Sequence, residues 1–287
     1  MPQTGAPSAF APRSPFGPRR ASSMRVELRE TGDDAPIVVL ITDPGPDPDD
    51  VKALLVLAVA HMQGAVQLKA VVANGGMQAV ERAKLARCML DHMGVLDVPV
   101  GHGSAGQPYS PQPHEYSIDD YALVDAGRLV VGERLLKQTL SAARPGSLTF
   151  VCISSLRDIS DLIKADPALF VEKTRTVAIQ GGLERDASHP SGWRPDSSVN
   201  NGFDLPAAEH VFAFCFEKSV PMVVTSRHAV PMMPMQSFAT RTNCPVLLYL
   251  ADAQFLGLEG LWRRLCAGEL PARCTKQSLC FALRNGF

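Results

Sequence analysis

The chain has 287 residues, of which 46% are hydrophobic, and its formal net charge is −1. This length and composition suffice for one large α/β domain, or two small ones, with a substantial core. The near-zero charge supplies no global field that would favour nucleic acid or a membrane surface, and no uninterrupted apolar run reaches the roughly 20 residues of a membrane span. We therefore expect neither nucleic acid nor a membrane as a partner.

Seven cysteines are dispersed along the chain, and no two of them form a Cys-x-x-Cys pair. An odd number without metal-ligand spacing argues against a disulfide framework and against structural zinc. We expect reduced thiols in a cytoplasmic protein.

The N-terminal segment differs in composition from the rest of the chain. Residues 1–25 contain five prolines, four arginines and no acidic residue. Such a segment buries little apolar surface, so residues 1–34 are predicted to form a disordered basic, Pro-rich tail. Arg- and Ser-rich segments without acids are also typical of transit peptides, so targeting to an organelle by residues 1–25 is the alternative location. A single folded domain is expected over residues 35–287.

Hydrophobic periodicity predicts strands and helices that alternate along the chain. Predicted strands cover residues 37–42, 67–73, 98–100, 148–153, 175–180 and 221–225. Predicted helices cover residues 51–62, 77–93, 127–143, 159–163, 204–218, 236–242 and 246–266, with loops over 101–125 and 183–199. Strands joined through helices imply right-handed crossovers. The predicted fold class is therefore α/β, a mostly parallel open sheet with helices on both faces.

Four carboxylates follow the first predicted strand within eight residues, in the segment Asp43-Pro44-Gly45-Pro46-Asp47-Pro48-Asp49-Asp50. Like charges this close repel each other, and a hard cation such as Ca²⁺ or Mg²⁺ with oxygen ligands would relieve that cost. The alternative is a solvated helix cap with nothing bound. The segment also follows the carboxyl end of a strand, where open α/β sheets place their ligands.

Polar or glycine residues also follow or end the other long predicted strands, namely Asn74, Ser154, Gly181 and Thr225. The carboxyl ends of parallel strands share one edge of a sheet, so these residues are expected to lie near Asp43. The sequence therefore predicts where the site lies before it predicts the chemistry.

The acidic segment resembles that of the inosine-uridine-preferring nucleoside hydrolases, which carry Asp-Pro-Gly-x-Asp-Asp at this position. With two extra residues, the spacing of the segment here is similar to that in the nucleoside-hydrolase-like branch, which includes type III effectors of plant pathogens. Further similarities lie in segments 72–76, 98–103, 154–159 and 195–204. The resemblance implies a nucleoside-hydrolase-like fold with a Rossmann-like core.

The same resemblance implies an activity, a cofactor and a partner. The activity is hydrolysis of the N-glycosidic bond of ribonucleosides to ribose and free base, through an oxocarbenium-like transition state. The implied cofactor is Ca²⁺, which lowers the pKa of a water molecule so that a carboxylate takes its proton. A small-molecule ribonucleoside is the implied partner, and the implied assembly is a homodimer or a homotetramer.

Three residues match the positions that hold the metal in this family. Asp43 is expected to be a metal ligand and the general base that activates water. Asp50 is expected to bind Ca²⁺, and Arg157 is expected to contribute its backbone carbonyl. Asp47 lies in the insertion and is expected to face solvent.

Four residues match the positions that contact the sugar. Asp49 is expected to accept hydrogen bonds from ribose hydroxyls, and Asn74 and Asn200 are expected to hydrogen-bond the sugar. Asn201 is the alternative to its neighbour in that role. The pair Asn200-Asn201 would otherwise cap the predicted helix that begins near residue 204.

The C-terminal region departs from the family pattern. No His-Asp pair follows His228, and Asp252 is the single aspartate beyond that point. Because the family closes its metal site with such an aspartate, the chain resembles a C-terminally truncated member. The alternative function is therefore a catalytically impaired protein that binds nucleosides or ribose derivatives on the same fold. A third alternative is a partner-recruiting protein that uses the basic tail.

Overall fold

The computed structural model describes residues 35–45, 48–112, 114–226, 244–269 and 275. The predicted tail, Asp47, His228 and the predicted helix over residues 236–242 lie outside the described residues.

Nine strands and eight helices lie within the described part of the chain. The strands are β1 Ile37–Thr42, β2 Gln67–Ala73, β3 Val100–His102, β4 Val130–Val131, β5 Leu148–Cys152, β6 Thr174–Gln180, β7 Leu183–Arg185, β8 Trp193–Pro195 and β9 Met222–Thr225. The helices are α1 Pro48–Met62, α2 Ala79–His92, α3 Gly132–Ala142, α4 Arg157–Ala165, α5 Pro167–Lys173, α6 Val199–Phe203, α7 Leu205–Lys218 and α8 Pro245–Cys266.

Seven of the described strands form one parallel sheet in the order β4-β3-β2-β1-β5-β6-β9. The chain moves outward from β1 to β4, then returns to β5 beside β1 and continues to β9. The strand order therefore reverses at the carboxyl ends of β1 and β5. This is the place where open α/β sheets form a ligand crevice.

The sheet is covered on both faces, as its central strand shows. Val38 and Leu40 of β1 pack in a core cluster with α1, α2 and α8, whereas Val39 and Ile41 pack in a second cluster with α3, α4 and α7. Successive side chains of a strand point to opposite faces, so a continuously apolar strand is stable only when both faces are buried. The predicted α/β class, with helices on both faces of a mostly parallel sheet, is confirmed.

Several elements differ from the sequence prediction, and helices α5 and α6 were not predicted. Three of the differences have a clear physical reason. The third strand begins at Val100 rather than at residue 98, because Pro99 has no amide hydrogen to donate to the neighbouring strand. The helix predicted from residue 127 begins at Gly132, since Ala126–Arg128 forms a 3-10 turn and the β-branched pair Val130–Val131 joins the sheet edge beside β3. The loop predicted over residues 183–199 contains an antiparallel hairpin of β7 and β8.

Within the described ranges, every helix is too short or too polar to traverse a lipid bilayer.

Candidate active site

The acidic loop is fixed at both of its ends by Asp50. Its Oδ1 accepts a hydrogen bond from the backbone amide of Asp43 at 3.0 Å and another from the hydroxyl of Thr42. Asp50 lies in the first turn of α1, where a carboxylate is stabilised by the helix dipole. The carboxyl end of β1 and the amino end of α1 are therefore joined through one buried side chain.

A cavity of about 620 Å³ opens beside this junction. Its walls include Asp43, Asp49, Asp50, Arg82, Tyr109 and Asn200. It lies at the carboxyl edge of the sheet, at the reversal of strand order. Four of the residues predicted for the site, the three aspartates and Asn200, therefore meet at one cavity.

Asn74 lies at the same edge but is fully buried, and it does not contribute to the described wall of the cavity. Its Nδ2 donates to the carbonyl of Ser155 at 3.2 Å and to Asp158 Oδ2 at 2.7 Å. Asp158 also accepts hydrogen bonds from the amide and the hydroxyl of Ser104. Asn74 thereby connects the end of β2 to the turn after β5, and its Oδ1 has no hydrogen-bond partner among the described residues.

The two neighbouring asparagines have different environments. Asn200 Nδ2 donates to the carbonyls of Ile153 at 2.9 Å and of Gln180 at 3.0 Å, so it bridges the ends of β5 and β6 at the cavity wall. Asn201 is 1% exposed, lies outside the described cavity wall, and donates to the carbonyl of Gly182 at 2.9 Å. The alternative that this pair caps the next helix is wrong, because Asp204 itself accepts from the amide of Ala207 at the start of α7.

Arg157 is the first residue of α4, and its side chain points away from the cavity. The guanidinium pairs with Asp161 at 2.7 Å and with Asp204 at 3.4 Å. Ser155, two residues earlier in the same turn, contributes to the cavity wall. The side chain of Arg157 therefore lies outside the described cavity wall, and the role of its backbone carbonyl stays a prediction.

Asp49 is the exposed one among the three described aspartates of the acidic loop. Its Oδ2 accepts a hydrogen bond from Gln180 Nε2 at 2.9 Å, which links the start of α1 to the end of β6 across the cavity. Partial burial lowers the pKa of Lys52 on the same helix, and the charge of Asp49 opposes that shift. Asp49 therefore lies at the rim of the cavity, where it is also in contact with solvent.

Sequence reasoning missed Arg82, which lies on α2 and is 2% exposed. Its Nη1 lies 3.2 Å from Asp43 Oδ2 and 2.7 Å from the carbonyl oxygen of Asn74. A Cβ atom added to Gly75 or Gly76 would lie 2.7 Å or 2.8 Å from the guanidinium nitrogens, and both glycines have a positive φ. The glycine pair after β2 was the available signal, since it leaves room for a long side chain against the backbone.

The long loop after β3 supplies a second buried group. Glu115 is fully buried, and its Oε1 accepts from the hydroxyl of Tyr109 at 2.5 Å. The hydroxyl of Tyr249 on α8 donates to the carbonyl of Glu115 at 2.5 Å. Burial raises the pKa of the neighbouring Tyr116 to about 12. The loop is thereby tied both to the cavity wall and to the C-terminal helix.

A known protein family matches most of the chain. The family described as inosine-uridine preferring nucleoside hydrolase matches residues 38–260. The chain belongs to this family. The match spans the acidic loop, the turn before α4 and both asparagines. No curated protein is significantly similar to the chain in sequence.

Solved structures of this fold include enzymes and an effector. The type III effector protein XopQ, complexed with adenosine diphosphate ribose, has a TM-score of 0.72 and 24% identity, over 88% of this chain and 73% of that chain. The purine-preferring ribonucleoside hydrolase from Gardnerella vaginalis has a TM-score of 0.58 and 15% identity, over 80% of this chain and 75% of that chain. The inosine-uridine preferring nucleoside hydrolase from Bacillus anthracis has a TM-score of 0.55 and 16% identity, over 79% of this chain and 83% of that chain.

The donor chemistry of the cavity fits a hard divalent cation at two side chains. Asp43 and Asp50 place carboxylates at one buried strand end, and oxygen donors of this kind suit Ca²⁺ or Mg²⁺. Within the described ranges, no group of three or more His, Cys, Asp or Glu side chains is arranged to hold a metal ion. Asp252, the aspartate noted in the C-terminal region, is exposed on α8.

The assignment of the α7 cap to Asp204 can be tested by unfolding. Replacing an N-cap aspartate by alanine removes a hydrogen bond to the first turn and costs about 1 kcal/mol. We expect the Asp204→Ala variant to lose roughly that amount of unfolding free energy in urea, whereas Asp204→Asn keeps a capping oxygen and stays within a few tenths of the wild type. An Asp204→Ala protein as stable as the wild type would contradict the assignment.

Proposed function

We propose that the chain hydrolyses the N-glycosidic bond of ribonucleosides and releases ribose and free base. The observation that carries this proposal is the convergence of Asp43, Asp50 and Asn200 on one cavity at the sheet edge. Membership of the nucleoside hydrolase family supports the reaction class.

Asp43 and Asp50 would hold the Ca²⁺ ion together with the backbone carbonyl of Arg157. When bound, the ion would lower the pKa of a water molecule and so supply a nucleophile at neutral pH. Asp43 would take the proton from that water as general base. Asp50 would hold its partner in place, because its Oδ1 already accepts from the amide of Asp43.

The sugar would be held through contacts between its hydroxyls and polar side chains of the cavity wall. Asn200 donates both of its described hydrogen bonds to strand-end carbonyls, so its Oδ1 is the acceptor that would receive a ribose hydroxyl. Asp49, oriented by Gln180, would accept from a second hydroxyl. Asn74 lies behind the cavity wall and would act through its hydrogen bonds to Ser155 and Asp158, and Asn201 would support the wall through its hydrogen bond to Gly182.

The activity is tested by measuring free ribose from a panel of purine and pyrimidine ribonucleosides with millimolar Ca²⁺. Removing a general base typically costs about 10²–10⁴-fold in rate, so Asp43→Ala should lose that much of kcat while the protein stays folded. Chelation of the cation should abolish turnover.

The matched control is Asp97→Ala, which removes an exposed aspartate outside the cavity wall and should leave kcat unchanged. Absence of ribose from every nucleoside, or equal rates for Asp43→Ala and the wild type, would contradict the proposal.

A second candidate function is binding of a larger ribose derivative without turnover. The cavity of about 620 Å³ lies in the range of roughly 300–1,000 Å³ that accommodates drug-sized ligands. The structural relative XopQ was solved in complex with adenosine diphosphate ribose. Within the described residues, only Asp43 and Asp50 offer buried carboxylates to a cation here, so binding without hydrolysis is consistent with the site.

Calorimetry with adenosine diphosphate ribose, adenosine and ribose separates the two functions. Under this second candidate, adenosine diphosphate ribose should bind at least about tenfold more tightly than adenosine, which corresponds to about 1.4 kcal/mol. The ligand should be recovered intact after long incubation. Steady accumulation of free ribose or free base would rule out this candidate.

A further inference from the structure

Arg82 is built into the site rather than resting on its surface. Its side chain is 3% exposed, and that of Asp43 is 9% exposed. The guanidinium occupies space that only glycine at positions 75 and 76 leaves open, since any Cβ there would lie within 3 Å of it. Its Nη1 is shared between the carbonyl of Asn74 and the carboxylate of Asp43.

This placement brings a fixed positive charge to the carboxylate proposed to bind the cation. Charges interact more strongly in a water-poor site than in solvent, so Arg82 and a divalent cation near Asp43 would repel each other. Arginine keeps its charge under all ordinary conditions, and its planar fork holds a carboxylate in a defined orientation. The contact between Arg82 and Asp43 therefore orients the carboxylate and weakens its binding of a metal ion.

Arg82 contributes to the cavity wall although it is nearly inaccessible, and its Nε has no hydrogen-bond partner among the described residues. The guanidinium carbon lies over the ring of Tyr109 in the long loop, 5.8 Å from the ring centroid. The positive charge of Arg82 is therefore buried beside the cavity, close to the place that a cation bound to Asp43 would occupy.

We propose that Arg82 is the resident counter-ion of Asp43 and competes with the divalent cation for this carboxylate, so that it sets a low cation affinity while it orients Asp43. The proposal rests on the proposed function only in placing the cation at Asp43 and Asp50. Arg82 is a positioning residue, because it acts through Asp43.

Titration calorimetry with CaCl₂ tests the proposal without any substrate. Cation affinity rises as the net negative charge of the ligand set rises, so Arg82→Gln should bind Ca²⁺ at least about tenfold more tightly than the wild type. Glutamine removes the charge but keeps an amide donor for the carbonyl of Asn74. Arg82→Lys keeps the charge and should stay within about threefold of the wild-type affinity.

The gain must depend on Asp43. The double variant Asp43→Asn with Arg82→Gln should bind Ca²⁺ no more tightly than Asp43→Asn alone. A matched control is Arg128→Gln, which changes the net charge equally at an exposed arginine paired with Asp91 and should leave the affinity unchanged. Thermal unfolding followed by circular dichroism verifies that each variant is folded. If Arg82→Gln does not fold, Arg82→Met takes its place with the same expectation.

Three results would overturn the proposal: unchanged or weaker affinity in a folded Arg82→Gln or Arg82→Met protein, a gain that persists without Asp43, or no Ca²⁺ binding by any variant. The ribose assay keeps this separate from the proposed function. Tighter Ca²⁺ binding by Arg82→Gln without ribose release by the wild type would refute the hydrolase proposal and support the counter-ion proposal. Ribose release by the wild type with equal Ca²⁺ affinities of both proteins would support the hydrolase proposal and refute the counter-ion proposal.

Discussion

Two carboxylates at the buried end of one strand are the constraint on which the rest of the site depends. Asp43 and Asp50 are both less than one-tenth exposed, and like charges in such a place raise the free energy of the folded state unless they are offset. The chain offsets them in three ways. The start of α1 and two donors from the strand end stabilise Asp50, and the guanidinium of Arg82 faces Asp43. A bound cation would offset the same two negative charges further.

The topology explains why these groups meet. The sheet reverses its strand order at β1 and β5, and residues that follow β1, β2, β5, β6 and β9 line one crevice. Asn74 and Asn200 then connect strand ends to each other through their amide groups. The crevice is therefore held open by hydrogen bonds between its walls as well as by the core beneath it.

Much of this arrangement could be predicted from the sequence. The apolar run before Asp43 predicts a strand buried on both faces, and the structure has its bounds at Ile37–Thr42. The location of the acidic loop at the carboxyl edge of the sheet follows from its position directly after a predicted parallel strand. The hairpin of β7 and β8 was missed, because strands of three residues are too short to show an alternating pattern.

Arg82 and Glu115 were missed for a different reason. An arginine within a helix is most often solvent-exposed, and nothing in the local pattern of α2 indicates that this one turns inward. Glu115 lies in a loop without periodicity, and its burial depends on Tyr109 and on Tyr249, 134 residues further along the chain. Burial of such charges is decided by contacts between distant segments, which periodicity does not record.

The central claim is that Asp43 and Asp50 form a cation site against which a ribose is held. The most direct measurement is a crystal structure of the protein grown with Ca²⁺ and ribose. The account predicts a cation in contact with both carboxylates and sugar hydroxyls against Asp49 and Asn200. A well-ordered cavity that contains neither, or a cation bound elsewhere with Asp43 still paired to Arg82, would contradict it.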